Sequence, residues 1–195
     1  RLAALGACLE MSMTEELFRA DAYARECQGE VVAVEGNGLI LDRTVFYPLG
    51  GGQPGDTGIM LLPDGRRLEV VSTRKSEDGA AIVHELLGGP PDGVVGTAVT
   101  ATIDWERRHR FMRMHTCMHL LCSVVDGGVT GGSIRDGSAR LDFDLPDLLL
   151  DKDAITASLN ALVESDITVS ARWVDEAELD ARPELVRTMS VQPPR

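Results

Sequence analysis

Positive charge is scarce in this 195-residue chain: 19 Lys and Arg stand against 31 Asp and Glu, for a formal net charge of -12. Binding a polyanion over a broad face draws on many cations that displace counterions from phosphates. That mode is excluded here, and any nucleic-acid contact must be local. Long apolar runs are also missing. Runs such as Leu120 to Cys122 and Leu148 to Leu150 fall far short of the roughly 20 residues a membrane-spanning helix needs, so no such span is expected. The four cysteines, Cys8, Cys27, Cys117 and Cys122, show no paired CxxC spacing. A chain of this length holds a core without disulfides, and reduced thiols in a cytoplasmic protein are the expectation.

What is present is an ordinary globular composition, 44% hydrophobic and 26% charged, enough for one large domain or two small ones. Residues 1–12, RLAALGACLEMS, begin without Met, while Met11 and Met13 offer starts; this stretch reads as a leader remnant or upstream read-through and is set apart from the fold. From Glu30 to Trp105 the chain is rich in Val, Ile, Thr and Gly. Strands are predicted at Val31 to Val34, Leu39 to Tyr47, Leu68 to Ser72, Ala80 to Leu87 and Ala98 to Ile103. Turn signals at Gly36-Asn37-Gly38, Asp64-Gly65, Asp78-Gly79 and Gly88 to Pro91 punctuate them. Many short strands at close spacing predict a small antiparallel barrel over residues 13–104.

The pattern changes at Trp105. No Gly or Pro interrupts the next twenty residues, and Met114, Met118, Leu121 and Val125 fall on one helical stripe. Gly127-Gly128 ends this helix, a glycine-rich loop follows, and Ala139 to Phe143 reads as a strand. An amphipathic helix over Asp151 to Glu164, an alternating strand over Ile167 to Trp173 and a short helix over Asp175 to Asp180 complete an α+β second domain, residues 105–195.

His115 and His119 stand four residues apart on the first of these helices, so both imidazoles leave the same face and can reach one metal ion. From spacing alone a surface or capping pair is the commoner meaning. The Glu that would follow the first His in a zincin is absent, with Thr116 in its place. Cys122 shares the face and is a third ligand in one reading, core packing in the other; Cys117 is turned away and read as structural. Gly50-Gly51-Gly52-Gln53 follows a strand and leaves backbone amides open to a ligand, though a tight barrel turn explains it equally. The loop has neither the Lys of a P-loop nor a dinucleotide fingerprint. Arg107, Arg108, Arg110 and Arg113 make a local positive patch that suits phosphates, or a solvated face paired with Asp104 and Glu106. His84 and His109 have no partner visible in sequence.

Together, the GGGQPGDTG loop at 50–58 after Phe46-Tyr47-Pro48, the DWERRHRFMRMHTCMHLL segment at 104–121 and the ARLDFD strand at 139–144 resemble the free-standing alanyl-tRNA editing proteins, relatives of the editing domain of alanyl-tRNA synthetase. The resemblance runs from about Met13 to the C-terminus. It implies a translation-factor-like barrel followed by an α+β editing domain, and a Zn2+ site with His115 and His119 as half of its ligands. The other half, a later CxxxH motif, is not reached before Val191-Gln192-Pro193-Pro194-Arg195, which implies a C-terminally truncated member. The implied activity is zinc-dependent hydrolysis of the ester joining serine, or alternatively glycine, to alanine tRNA in the cytoplasm. Gly51, Gly52 and Gln53 would bind the aminoacyl group. Thr130 and Ser133, in the loop after the helix, would sense a substrate hydroxyl, and Arg107, Arg108, Arg110 and Arg113 would meet the tRNA acceptor end. No side chain is assigned as the catalytic base; a zinc-bound water takes that part. Two other readings stay open: a non-catalytic module that holds tRNA ends or a protein, and a complete site made of His115, His119 and Cys122.

Overall fold

The computed structural model describes residues 13–145, 150–170 and 172–186. The segment read as a leader remnant, 1–12, and the Val191 to Arg195 end lie outside the described residues. The chain divides into two compact units: residues 13–50 with 54–109, and residues 51–53 with 110–186. Among the described residues no helix is long and apolar enough to cross a membrane.

The first unit is a closed antiparallel barrel. Its six strands are β2 (Glu26–Glu35), β3 (Gly38–Leu41), β5 (Gly58–Leu61), β6 (Arg67–Lys75), β7 (Ile82–Leu86) and β8 (Ala98–Ile103), ordered β2-β3-β7-β6-β5-β8. Closure leaves no strand edge unpaired. The two-residue period of β8 does what its sequence demands: Val99, Ala101 and Ile103 are buried, and the residues between them are not. They join Val31, Leu39, Leu41, Phe46, Met60, Val70 and Leu86 in one core. Ile40 points the other way and packs on Ala81 and Val83.

Three expectations about the strands change. The predicted strand from Leu39 to Tyr47 breaks at Asp42. That carboxylate accepts the Glu30 N–H at 2.8 Å, and its carbonyl accepts the Glu15 N–H at 2.8 Å. The next two residues, β4 (Arg43–Thr44), leave the barrel ladder to pair in parallel with β1 (Glu15–Glu16), which a four-residue helix, α1 (Leu17–Ala20), follows. The run Gly58–Leu61, unassigned from sequence, is the fifth barrel strand.

Helix α2 (Trp105–Val124) starts where predicted. Asp104 caps it, its side chain accepting the Arg107 N–H at 3.1 Å and its carbonyl the Arg108 N–H at 3.0 Å. In the second unit Phe111, Met114 and Met118 of α2 pack with Ile134 and Leu141. The stretch after α2 is a hairpin and not the expected loop: β9 (Gly128–Arg135) pairs antiparallel with β10 (Ser138–Asp144). Its register skips Thr130 between the pairs Val129–Phe143 and Gly131–Asp142, so Thr130 is the extra residue of a β-bulge.

Helix α3 (Lys152–Glu164) agrees with prediction, and α4 (Glu176–Ala181) precedes a single 3-10 turn. The strand predicted from Ile167 to Trp173 is not formed at 167–170 or 172–173, and position 171 lies outside the described residues. Alternation makes a strand only where a neighbouring ladder completes its hydrogen bonds, and none is present among the described residues. Ile167, Val169 and Trp173 are instead exposed, Trp173 at 86%.

Candidate functional site

In the first unit the glycine-rich loop leaves the barrel at Tyr47 and returns at Asp56, and these two residues close its base. The Asp56 carboxylate accepts the Tyr47 N–H at 2.8 Å, and the Asp56 N–H donates to the Tyr47 carbonyl at 2.9 Å. The same carboxylate meets the Arg108 guanidinium at 3.1 Å, with Asp56 1% and Arg108 3% exposed. Arg108 also donates to the Val45 carbonyl at 3.0 Å and lies over the Tyr47 ring. Burial pushes the Asp56 carboxyl up to about 6 while Arg108 pulls it back. Sequence reading passed over Asp56; the acid between Gly55 and Thr57, with an arginine-rich helix start later, was the only signal available.

Arg108 therefore does not belong to a phosphate-binding patch. Its guanidinium is committed to a buried carboxylate and a carbonyl, where no tRNA phosphate can reach it. Arg107 is half-buried and donates to the Gly55 carbonyl at 2.8 Å. On the second unit Arg110 is exposed and 3.5 Å from Asp136, and Arg113 is exposed.

The loop's tip, Gly51–Gln53, belongs to the second unit, and there it meets the histidine pair. Gly52 has φ +77°, a conformation suited to glycine, and a Cβ on it would sit 2.8 Å from the Gly132 carbonyl. The Gly52 carbonyl accepts the Ile134 N–H at 2.7 Å, tying the loop to β9. This places Gln53, 4% exposed, with Oε1 3.1 Å from Nδ1 of His115. An amide oxygen can only accept, so Nδ1 carries the proton and Nε2 of His115 keeps its lone pair. The His115 and His119 rings stack, 5.0 Å between centroids and 10° between planes. Burial, then the neighbouring His119, lowers the His115 pKa, so its neutral, ligating form is favoured.

Gly52, Gln53, His115 and His119 are thus gathered by the fold. Cys122 is not: among the described residues no three His, Cys, Asp or Glu side chains are grouped to hold a metal ion, which sets aside the three-ligand reading. Cys117, read as structural, is exposed, and Cys27 and Cys117 are free thiols. Thr130 donates to the Asp142 carbonyl at 3.2 Å across the bulge. Ser133 lies on β9 on the face opposite Ile134, half-buried, with its Cα near Gly52. The two hydroxyls predicted to share a sensing loop sit instead on a paired strand, Thr130 on the bulge.

Comparison with known proteins places the chain in a family. The family of class II (A) tRNA synthetases matches residues 11–107. The alanyl-tRNA editing protein AlaX-M of Saccharolobus solfataricus is 35% identical over 191 residues, covering 94% of this chain and 78% of that protein. Its counterpart in Methanosarcina mazei is 34% identical over 189 residues, covering 91% of this chain and 74% of that protein. An alanine–tRNA ligase of Saccharolobus islandicus is 47% identical over 113 residues, 57% of this chain and 12% of the ligase. With more than two thirds of these editing proteins covered at this identity, the chain belongs to the AlaX-M family of alanyl-tRNA editing proteins.

Proposed function

We propose that this protein is a cytoplasmic aminoacyl-tRNA deacylase that hydrolyses the ester between serine, or glycine, and alanine tRNA, with Zn2+ as cofactor. The observation that carries the reading is the Gln53–His115–His119 constellation beneath the glycine loop. The donor set suits zinc in chemistry: imidazole nitrogen is an ordinary zinc ligand, and Gln53 fixes the His115 ring by accepting from its Nδ1. Among the described residues it suits zinc in number only by half, since two histidines are grouped there and a zinc site takes three or four protein ligands. When bound, zinc would polarise the ester carbonyl or lower the pKa of a water.

The protein's own groups bind and exclude. Gln53 holds His115 in the tautomer that leaves Nε2 open. Gly52, at φ +77°, turns the main chain where a Cβ would run into the Gly132 carbonyl, and with Gly51 at φ +58° it leaves backbone groups open to an aminoacyl group. Ser133, beside that loop, offers a hydroxyl to serine. A pocket built to pair a hydroxyl leaves its own groups unpaired when alanine enters, and so spares the correct product. Arg107, Arg110 and Arg113 remain for the acceptor-end phosphates.

The test is release of serine and of alanine from charged alanine tRNA by this chain in saturating zinc, beside its zinc content. Serine release well above alanine release, lost in His115→Ala, supports the deacylase. Bound tRNA with no release from either favours a non-catalytic tRNA-holding module.

A further inference from the structure

Three rings and a guanidinium meet on the surface of the first unit, around the start of α2. The Trp105 indole lies nearly parallel to the His109 imidazole, with centroids 5.2 Å apart and 10° between planes. Tyr23 tilts against both, at 5.5 Å from Trp105 and 6.4 Å from His109. The Arg25 guanidinium carbon stands 4.4 Å from the indole centroid. Trp105 also packs against the barrel core, which gives the cluster a rigid floor.

Tyr23 contributes little to that core, being 62% exposed. Its backbone is already held by a turn, in which the Asp21 carboxylate accepts the Tyr23 N–H at 2.8 Å and the Asp21 carbonyl accepts the Ala24 N–H at 3.2 Å. The ring is therefore presented to solvent on a fixed support beside an indole, an imidazole and a cation. Aromatic faces with an arginine alongside are what nucleobases stack on, whatever their sequence.

We propose that Tyr23, Trp105, His109 and Arg25 form a stacking site for one unpaired nucleobase of an RNA. This rests on the reading of the protein as one that acts on tRNA, and it answers a difficulty in that reading. A chain of net charge -12 gains little from phosphate contacts, whereas stacking needs no counterion release.

The experiment measures the affinity of the full chain for alanine tRNA, for a short single-stranded RNA, and for an oligonucleotide of the same length lacking bases. The proteins compared are wild type, Tyr23→Ala, Tyr23→Phe and His109→Ala; Trp105 is left alone because it also supports the core. Tyr23→Ala is expected to weaken binding of both RNAs roughly tenfold and Tyr23→Phe to restore it. The base-free oligonucleotide should bind wild type no better than RNA binds Tyr23→Ala. Equal RNA affinity in wild type and Tyr23→Ala, with serine release intact, overturns the stacking site alone. No RNA binding and no serine release overturns the site and the deacylase reading together.

Discussion

His84 sits fully buried in the barrel wall, its Nδ1 3.0 Å from the Leu39 carbonyl and its Nε2 2.8 Å from the Thr44 hydroxyl. The carbonyl requires a proton on Nδ1, so Thr44 donates to Nε2 and in turn accepts the Phe46 N–H at 3.0 Å. Burial lowers the His84 pKa to about 4 from an ordinary 6.5. The unfolded chain then takes up a proton that the folded one refuses. Its contribution is complete above pH 6.5 and is lost as pH falls through 4, on the order of 3 kcal/mol across the window. Urea unfolding of wild type and His84→Gln from pH 7.5 to 4 should show the gap between them shrinking toward low pH. Asp56 runs the opposite way: its folded pKa of about 6 lies above the ordinary 3.8, so its contribution falls as pH rises between them. Arg108→Met removes the cation that opposes this rise. We expect a loss of about 3 kcal/mol at pH 7.5 and a smaller one at pH 5, where the carboxyl is protonated, read from the same unfolding curves. At the proposed site, Gln53→Ala frees the His115 ring to change tautomer. Zinc affinity, measured by competition with a chelating dye, should fall ten- to a hundredfold while the melting temperature moves little.

At the scale of elements, α3 shows how little holds a helix that buries no residue. Asp151 caps it, accepting the Asp153 and Ala154 N–H groups at 3.0 Å each. Asp151→Ala should cost about 1 kcal/mol locally, seen as roughly fivefold faster hydrogen exchange along α3 with the barrel amides unchanged. The hairpin β9–β10 teaches a different point. Its glycines, Gly128, Gly131 and Gly132, look like loop in sequence. Yet Gly132 sits under the Gly52 turn, where its carbonyl would meet any Cβ placed on Gly52, and Ile134 both donates to Gly52 and packs on α2. Propensity called these residues a loop because the contacts that make them a strand come from 80 residues earlier in the chain.

For the whole molecule, charge sets the terms of RNA binding. With Arg108 buried and Arg107 donating to the Gly55 carbonyl, the proposed patch offers at most three arginines to phosphates, so log affinity for tRNA against log salt should have a slope no steeper than about -3 between 50 and 200 mM salt. The period-two burial of β8, the start of α2 and the α3 repeat are local patterns, and each was legible because neighbouring residues alone impose it; the glycine loop and the HxxxH helix were each legible as motifs, but not that they meet. Which strands close the barrel, that Asp42 ends β3, that Arg108 turns inward to Asp56 and that Gln53 reaches His115 across 62 positions were not legible. These depend on distant segments competing for the same hydrogen bonds and the same buried volume, a contest that only the folded chain decides.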